Sequence, residues 1–390
     1  MNILFYGTNA SSPCSGGIAR ITYNLLHFFN SKGICTLSIG TNRSNSADPV
    51  TDYQFFFPSP NPYSEQNKKY LEKIILEHKI NIIINQAAIS MSDVDFIYDL
   101  KMKNPSLNII SCIHNPILNQ IENYAYLKEF FLKKHHLNLM SKILLLPVLE
   151  PFYRFCGIMI RRKQYAGKLV EKSDKIVMLS PGHMKELTYV IGNKYIDKVT
   201  YIPNCISLNY NNQLFKDNII LWVGNVDTSI KRIDFMLEVW RLFSETNTDW
   251  KLYILGDGPD LNWAKNYVVD NNIRNIYFEG RVDPAEYYRK AKISCITSSY
   301  ESFSMVIVES FKYGVVPVVN NSFPSASYLV ENEVNGLLVK KFNKMSFLLA
   351  LRELTSSQSK IEKMRLRGLK SALLYSTDVV GEKWLQLLGY

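Results

Sequence analysis

Hydrophobic residues along this chain follow two rhythms. One is the short apolar run bounded by Gly, Asn, Ser or Pro, which reads as a buried strand. Such runs cover residues 1–6, 37–40, 80–86, 107–116, 173–181, 218–225, 250–259, 275–280, 292–297 and 315–319. The other is an apolar stripe at helical spacing, as in Ile21, Leu25 and Phe28 of a helix beginning near Ile18. Helical spacing recurs over 67–78, 93–103, 232–244, 283–290, 343–375 and 376–390. Strands and helices therefore alternate. Within 292–319 the order strand, loop, helix, strand makes one βαβ unit, which implies a parallel sheet.

A chain of 390 residues is long enough for two domains, and 47% hydrophobic with 21% charged residues is a globular composition. Net charge is +10 and uneven: residues 1–200 carry 23 basic and 15 acidic side chains, the remainder 22 and 20. An anionic surface or substrate facing the first half is the natural inference. Six scattered cysteines with no C-x-x-C pair read as small buried hydrophobes of a reducing compartment, without a zinc pattern. The start, MNILFYGTN, lacks a basic leader and enters a strand directly, so no signal peptide is expected and the chain reads as cytoplasmic.

The richest stretch is 298–319, SSYESFSMVIVESFKYGVVPVV. Ser302 or Ser304 can cap its helix, and Gly314 sits where the helix should stop. Glu301 in the loop and Glu309 in the helix are eight positions apart, and eight helical residues advance about 12 Å. Two carboxylates so placed can hold the ends of an elongated ligand while helix-start amides face an anionic middle. By themselves they are also readable as a helix-start charge and a solvated face residue. Elsewhere, Gly16 and Gly17 precede a helix and let the backbone approach a ligand closely. His114 and Asn115 end a strand at the edge where doubly wound sheets gather ligands, although a lone histidine there is also readable as structural.

Residues 128–175 differ in character. Lys133, Lys134, Arg154, Arg161, Arg162 and Lys163 mix with Phe130, Phe131, Phe152, Tyr153 and Phe155. The most apolar part, 140–160, is interrupted by charges and prolines and does not read as a membrane span. Basic and aromatic residues together suit a helix lying on an anionic membrane surface; a solvated helical hairpin is the alternative. No nucleic-acid partner is expected, since no recognised fold or aromatic platform accompanies the charge.

The stretch 298–319 resembles the E-x7-E signature of retaining GT-B glycosyltransferases of family 4. That resemblance implies an α/β GT-B architecture, with two Rossmann-like domains of parallel sheet facing each other across a cleft. It implies that Glu301 contacts the donor sugar and Glu309 the nucleotide ribose, with Ser302, Phe303, Ser304, Met305 and Val306 lining the donor. Ser302 and Ser304 stand where members usually carry one or two glycines. The segment 200–207, TYIPNCIS, is similar to the family's interdomain linker, with Cys205 for the usual Gly. A first, acceptor-binding domain is then expected over 1–203, completed by the helix 376–390, and a donor-binding domain over 204–375. Residues 218–225 and Lys231 are similar to the family's diphosphate clamp, but Asn225 replaces the expected arginine and Arg232 is a candidate substitute. By the same resemblance Gly16 and Gly17 lie under the diphosphate, His114 lies beside the sugar, and the backbone at Val282 meets the base.

The resemblance implies a retaining, metal-independent transfer of a sugar from a nucleotide diphosphate sugar, UDP favoured over GDP. The expected acceptor is a hydroxyl of a lipid-linked bacterial glycan of O-antigen, capsule or lipopolysaccharide type. No cofactor is expected, and the enzyme would work peripherally at the inner face of the cytoplasmic membrane through 128–175. Lys231, the amides near 304–306 and the Gly16-Gly17 loop would stabilise the leaving diphosphate. Two alternatives stay open: a non-catalytic sugar-nucleotide-binding subunit of a polysaccharide synthase, and a GT-B sugar-nucleotide epimerase. A dehydrogenase is disfavoured, because the first loop lacks G-x-G-x-x-G.

Overall fold

The computed structural model describes residues 1–9, 11–13, 17–42, 52–123, 147–208 and 216–390. The chain divides into two compact units. Unit 1 comprises 1–117, 156–207 and 375–390; unit 2 comprises 118–155 and 208–374. From sequence, 118–155 belongs with the first domain, whereas this excursion groups with unit 2.

Unit 1 holds a seven-stranded sheet of β1 (Asn2–Asn9), β2 (Cys35–Asn42), β3 (Gln54–Phe56), β4 (Ile82–Asn85), β5 (Asn108–Cys112), β6 (Lys175–Met178) and β7 (Val199–Tyr201). The order is β3-β2-β1-β4-β5-β6-β7, parallel throughout. Parallel strands need crossovers, supplied here by α1 (Ile18–Ser31), α2 (Glu65–Glu77) and α3 (Met91–Lys103). Further on lie α4 (Glu150–Gln164), of which residues 156–164 belong to this unit, and α5 (Pro181–Ile191). Ser64, Ser90 and Ser180 each accept a hydrogen bond from an amide in the first turn of α2, α3 and α5, which fixes where those helices begin. Every residue of β4 is buried, as expected of a strand covered on both faces.

The C-terminal helix Thr377–Leu388 packs on α1 in this unit. Gly381 allows it: a methyl group there would sit 2.3 Å from the Phe28 ring.

Unit 2 repeats the plan with β8 (Ile219–Val223), β9 (Lys251–Leu255), β10 (Ile276–Gly280), β11 (Ile293–Ile296), β12 (Val316–Asn320) and β13 (Leu337–Val339), in the order β10-β9-β8-β11-β12-β13. Its helices include α6 (Ile233–Ser244), α7 (Leu261–Asp270), α8 (Ala285–Lys290), α9 (Met305–Lys312), α10 (Lys344–Thr355) and α11 (Gln358–Leu373). Trp222, Phe235, Trp240, Phe243 and Phe347 are fully buried in its core. Trp222 satisfies its indole N–H on Thr297 Oγ1 at 2.9 Å.

In both sheets the strand order reverses beside the first strand, between β1 and β4 and between β8 and β11. Ligands of doubly wound sheets bind outside the C-terminal strand ends at such a reversal. The loops bearing Lys231 and Glu301 leave the C-terminal ends of β8 and β11.

Candidate functional site

The loop from β8 to α6 is pressed against the loop after β9. A Cβ on Gly256 would fall 1.8 Å from the Gly224 carbonyl oxygen, and one on Gly258 would fall 2.5 Å from that of Val226. Only glycine permits this approach. The contact is tied by Val226 N–H to Asp257 O (2.9 Å), and by the Thr228 amide to the Asp260 carboxylate (2.8 Å). The buried Asp227 carboxylate accepts the amides of Ile230 (2.5 Å) and Lys231 (3.0 Å), turning the loop so that the Lys231 side chain lies along Gly224.

Lys231 Nζ then meets Glu301 Oε1 at 2.8 Å, and Ser298 donates to the same oxygen at 2.5 Å. Both side chains are largely shielded, so the pair is screened less than a surface bridge. Arg232 is paired elsewhere. It adopts left-handed backbone (φ 58°) ahead of α6, and its guanidinium forks onto Asp234 with bonds of 2.9 and 3.0 Å. The cation paired with Glu301 is therefore that of Lys231. Exposed Asn225 donates to Asp227 Oδ2 at 3.2 Å.

Ser302 and Phe303 are buried in the turn after Glu301, and Ser304 takes the N-cap position of α9. Ser304 does not use its side chain as a cap; its Oγ is fully buried without a hydrogen-bond partner, and no acidic residue occupies the first turn that Met305 and Val306 begin. No acidic side chain of its own first turn offsets the positive end of this helix. Because the chain is helical only from Met305, the ~12 Å separation of Glu301 and Glu309 inferred from eight helical residues does not apply. Glu309 is buried on α9 and accepts from the Tyr288 hydroxyl at 3.3 Å. By its sequence pattern Tyr288 belongs to an exposed helix face; in the fold it is fully buried, stacked on Tyr313 with ring centroids 5.5 Å apart. Its i, i+3 spacing with the buried Ala291 was the available signal. Val282 is exposed after β10.

In unit 1, His114 follows β5 and shares a 2.5 Å hydrogen bond between its Nε2 and Gln86 Oε1, beyond the end of β4. Burial, with His183 nearby, pushes His114 down to about 4, so the ring is neutral near pH 7. His183 is itself fully buried with Nε2 on the Asn115 carbonyl at 2.8 Å, and burial lowers it to about 4 as well. Gly17 precedes α1 with φ 62°, a conformation that favours glycine; Gly16 lies outside the described residues. Asn123, which nothing in the sequence singles out, is fully buried in unit 2 against the loop that carries Glu301.

Residues 210–370 match the family described as Glycosyl transferases group 1. An uncharacterized glycosyltransferase of Haemophilus influenzae is 27% identical over 240 residues, covering 60% of this chain and 67% of the relative. An α-1,4-N-acetyl-D-galactosaminyltransferase of Campylobacter jejuni, named for a PP-undecaprenol-linked acceptor, is 25% identical over 184 residues, covering 47% and 51%. The chain thus spans about half to two thirds of the length of these curated relatives. Among solved structures, Anabaena HepE in complex with UDP and glucose aligns with a TM-score of 0.72 over 100% of this chain and 99% of that one, at 11% identity. Residues 210–370 thus match the Glycosyl transferases group 1 model, within a two-unit, parallel-sheet fold shared with the solved structures of glycosyltransferases such as HepE.

Proposed function

We propose that the protein is a retaining glycosyltransferase of family 4. It would move a sugar from a UDP-sugar to a hydroxyl of a lipid-linked bacterial glycan of the O-antigen, capsule or lipopolysaccharide type. The observation that carries the reading is the convergence, at the β8/β11 ends of the segment that matches the group 1 model, of the Lys231–Glu301 pair and the start of α9, whose first turn holds no acid.

Breaking the bond between sugar and diphosphate builds negative charge on the leaving oxygen. Lys231 and the α9 amides supply fixed positive potential for that charge, which makes a metal dispensable in this proposal. Glu301, held by Lys231 and Ser298, is assigned to the sugar hydroxyls; Glu309, steadied by Tyr288, to the ribose. The leaving phosphate would accept the proton of the incoming hydroxyl on the same face, giving retention. The HepE complex contains UDP, and the Campylobacter relative is named for an undecaprenyl-linked acceptor; both support the donor and acceptor classes.

Membrane attachment is proposed through α4. No residue of this helix is buried, and Phe152, Phe155 and Met159 continue a stripe begun by Val148, beside Arg154, Arg162 and Lys163. That composition fits an in-plane helix on an anionic bilayer. Residues 128–146, the rest of the basic and aromatic segment, lie outside the described residues. No helix among the described residues is long and apolar enough to cross a membrane.

The test is incubation of the protein with UDP-glucose, UDP-galactose and their N-acetyl forms, with polyprenyl-diphosphate oligosaccharides as acceptors, with and without EDTA. Mass spectrometry would detect an added hexose or N-acetylhexosamine, and NMR the configuration of the new linkage. Transfer with the donor's configuration in EDTA is expected. Inversion, or activity lost in EDTA and restored by manganese, would overturn the mechanism. Sugar-nucleotide conversion without acceptor would identify an epimerase instead.

A further inference from the structure

Asn123 comes from the excursion between β5 and α4, directly after the helical turn Asn119–Glu122, yet it is fully buried within unit 2. Its single side-chain amide spans two loops. Nδ2 donates to the Ser299 carbonyl at 2.5 Å and to the Ser322 carbonyl at 2.9 Å, while Oδ1 accepts from Lys341 Nζ at 3.3 Å. The two carbonyls lie 176 and 199 positions along the chain, so the pairing is a purely tertiary one.

The loops it joins are themselves cross-tied toward Glu301. Ser322 Oγ donates to the Ser298 carbonyl at 2.5 Å, and Ser298 Oγ donates to Glu301 Oε1 at 2.5 Å. Ser299 binds the Lys231 loop through Oγ to the Ser229 carbonyl (2.6 Å) and through its amide to the Ile230 carbonyl (2.7 Å). Asn320 Nδ2 reaches the Thr297 carbonyl at 3.1 Å. Asn123 therefore sits at the node where the loop after β11, which bears Glu301, is held to the loop after β12.

We propose that Asn123 is a positioning residue for Glu301, fixing the carboxylate where it meets the donor sugar. This rests on the assignment of Glu301 to the sugar hydroxyls in the proposed function. The chemistry is particular to asparagine. Two donors on one planar group match two carbonyls; aspartate would put a carboxylate against both, serine offers one donor, and glutamine is a methylene too long. A buried carbonyl left without its donor drives the loop to rearrange, and a shift of about 1 Å in a reacting group costs up to about 100-fold in rate.

The experiment compares the parent with Asn123→Ala, Asn123→Asp, Asn123→Ser and Ser322→Ala, each alone and in a Glu301→Gln background. Binding of UDP, and of whichever of the four UDP-sugars the parent turns over, is measured by calorimetry, with turnover and melting temperature beside it. Asn123→Ala is expected to leave the UDP dissociation constant within about twofold and to weaken UDP-sugar binding by about 5- to 30-fold. Turnover should fall by about 10- to 100-fold. Asn123→Asp should be at least as severe and Asn123→Ser intermediate. In the Glu301→Gln background the Asn123 changes should alter UDP-sugar affinity by less than about twofold, because the residue they act through is already lost. A parent-like Asn123→Ala, an equal effect with and without Glu301, or a proportionate loss of UDP affinity would each overturn the inference. If Asn123→Ala does not fold, Ser322→Ala, which removes the hydroxyl that ties this loop to Ser298 and leaves the carbonyl that Asn123 holds, must show the same split at smaller amplitude; parent-like behaviour there overturns it equally. A parent that binds no UDP or UDP-sugar would overturn the proposed function and this inference with it. An active parent with indifferent Asn123 variants overturns the inference alone.

Discussion

Lys231→Met removes the cation but keeps an apolar stem along Gly224, where the lysine methylenes now lie. In the free protein this deprives the Glu301 carboxylate of the ammonium 2.8 Å away and leaves it the Ser298 hydroxyl. A bound diphosphate then loses its cation and faces an unneutralised carboxylate, two effects of the same sign. Loss of one charge-assisted hydrogen bond costs about 1.5–3 kcal/mol, equivalent to about 10- to 150-fold in affinity. Calorimetric titration of UDP at low salt is therefore expected to show weakening in that range for Lys231→Met. Glu301→Gln, which removes the competing anion and leaves the lysine free for phosphate, should bind UDP at least as tightly as the parent while losing turnover. Raising ionic strength should narrow the gap between parent and Lys231→Met only modestly, because the pair is shielded. If Lys231→Met binds UDP within twofold of the parent, Lys231 does not hold the diphosphate.

Glu309→Ala is expected to weaken UDP and uridine monophosphate alike, by about 10-fold, since a ribose contact is common to both; unchanged affinity for both would remove Glu309 from the nucleotide site. His114 and His183 both titrate near 4 when folded against 6.5 in a free side chain, so the unfolded chain binds an extra proton at each between those values. Stability from the two is then present above pH 6.5 and falls with acidification toward pH 4, each contributing a slope of about 1.4 kcal/mol per pH unit. Urea melts from pH 7 to 4.5 should show a slope that His183→Asn reduces by about one proton, leaving that of His114; an unaltered slope would refute it. Arg161, Arg162 and Lys163 changed to Glu should abolish sedimentation with anionic liposomes at low salt while neutral liposomes stay indifferent, and equal weak binding throughout would remove the membrane role of α4.

Much of the fold was legible because parallel strands buried on both faces are written as continuous apolar runs, as in residues 219–222 or 316–319. Two of the three-residue strands, β3 and β7, were not. Gln54–Phe56 and Val199–Tyr201 are too short to show a period, and β7 overlaps the segment 200–207 that reads as a linker. At the site, Lys231, Glu301 and the start of α9 stood out because loop, cap and helix are contiguous in sequence. Arg232 read as a spare phosphate ligand, but a neighbour two positions on, Asp234, captures its guanidinium once Arg232 turns left-handed. The burial of Tyr288 has a weak local signal in its spacing to Ala291, but its bond to Glu309 has none, and Asn123 has none. Each is a buried polar group whose partners are remote in sequence, and hydrogen-bond satisfaction in a core has no local periodicity to betray it. The grouping of Asn123 with unit 2 is unreadable for the same reason, because its partners Ser299 and Ser322 are tertiary.

The most direct measurement is a structure of the protein crystallised with UDP. The diphosphate is expected at the N-terminus of α9, in contact with Lys231 Nζ and the amides following Ser304, with the ribose hydroxyls on Glu309. Uridine bound elsewhere, or a diphosphate that leaves Lys231 on Glu301 and the start of α9 empty, would contradict the proposed function at its centre.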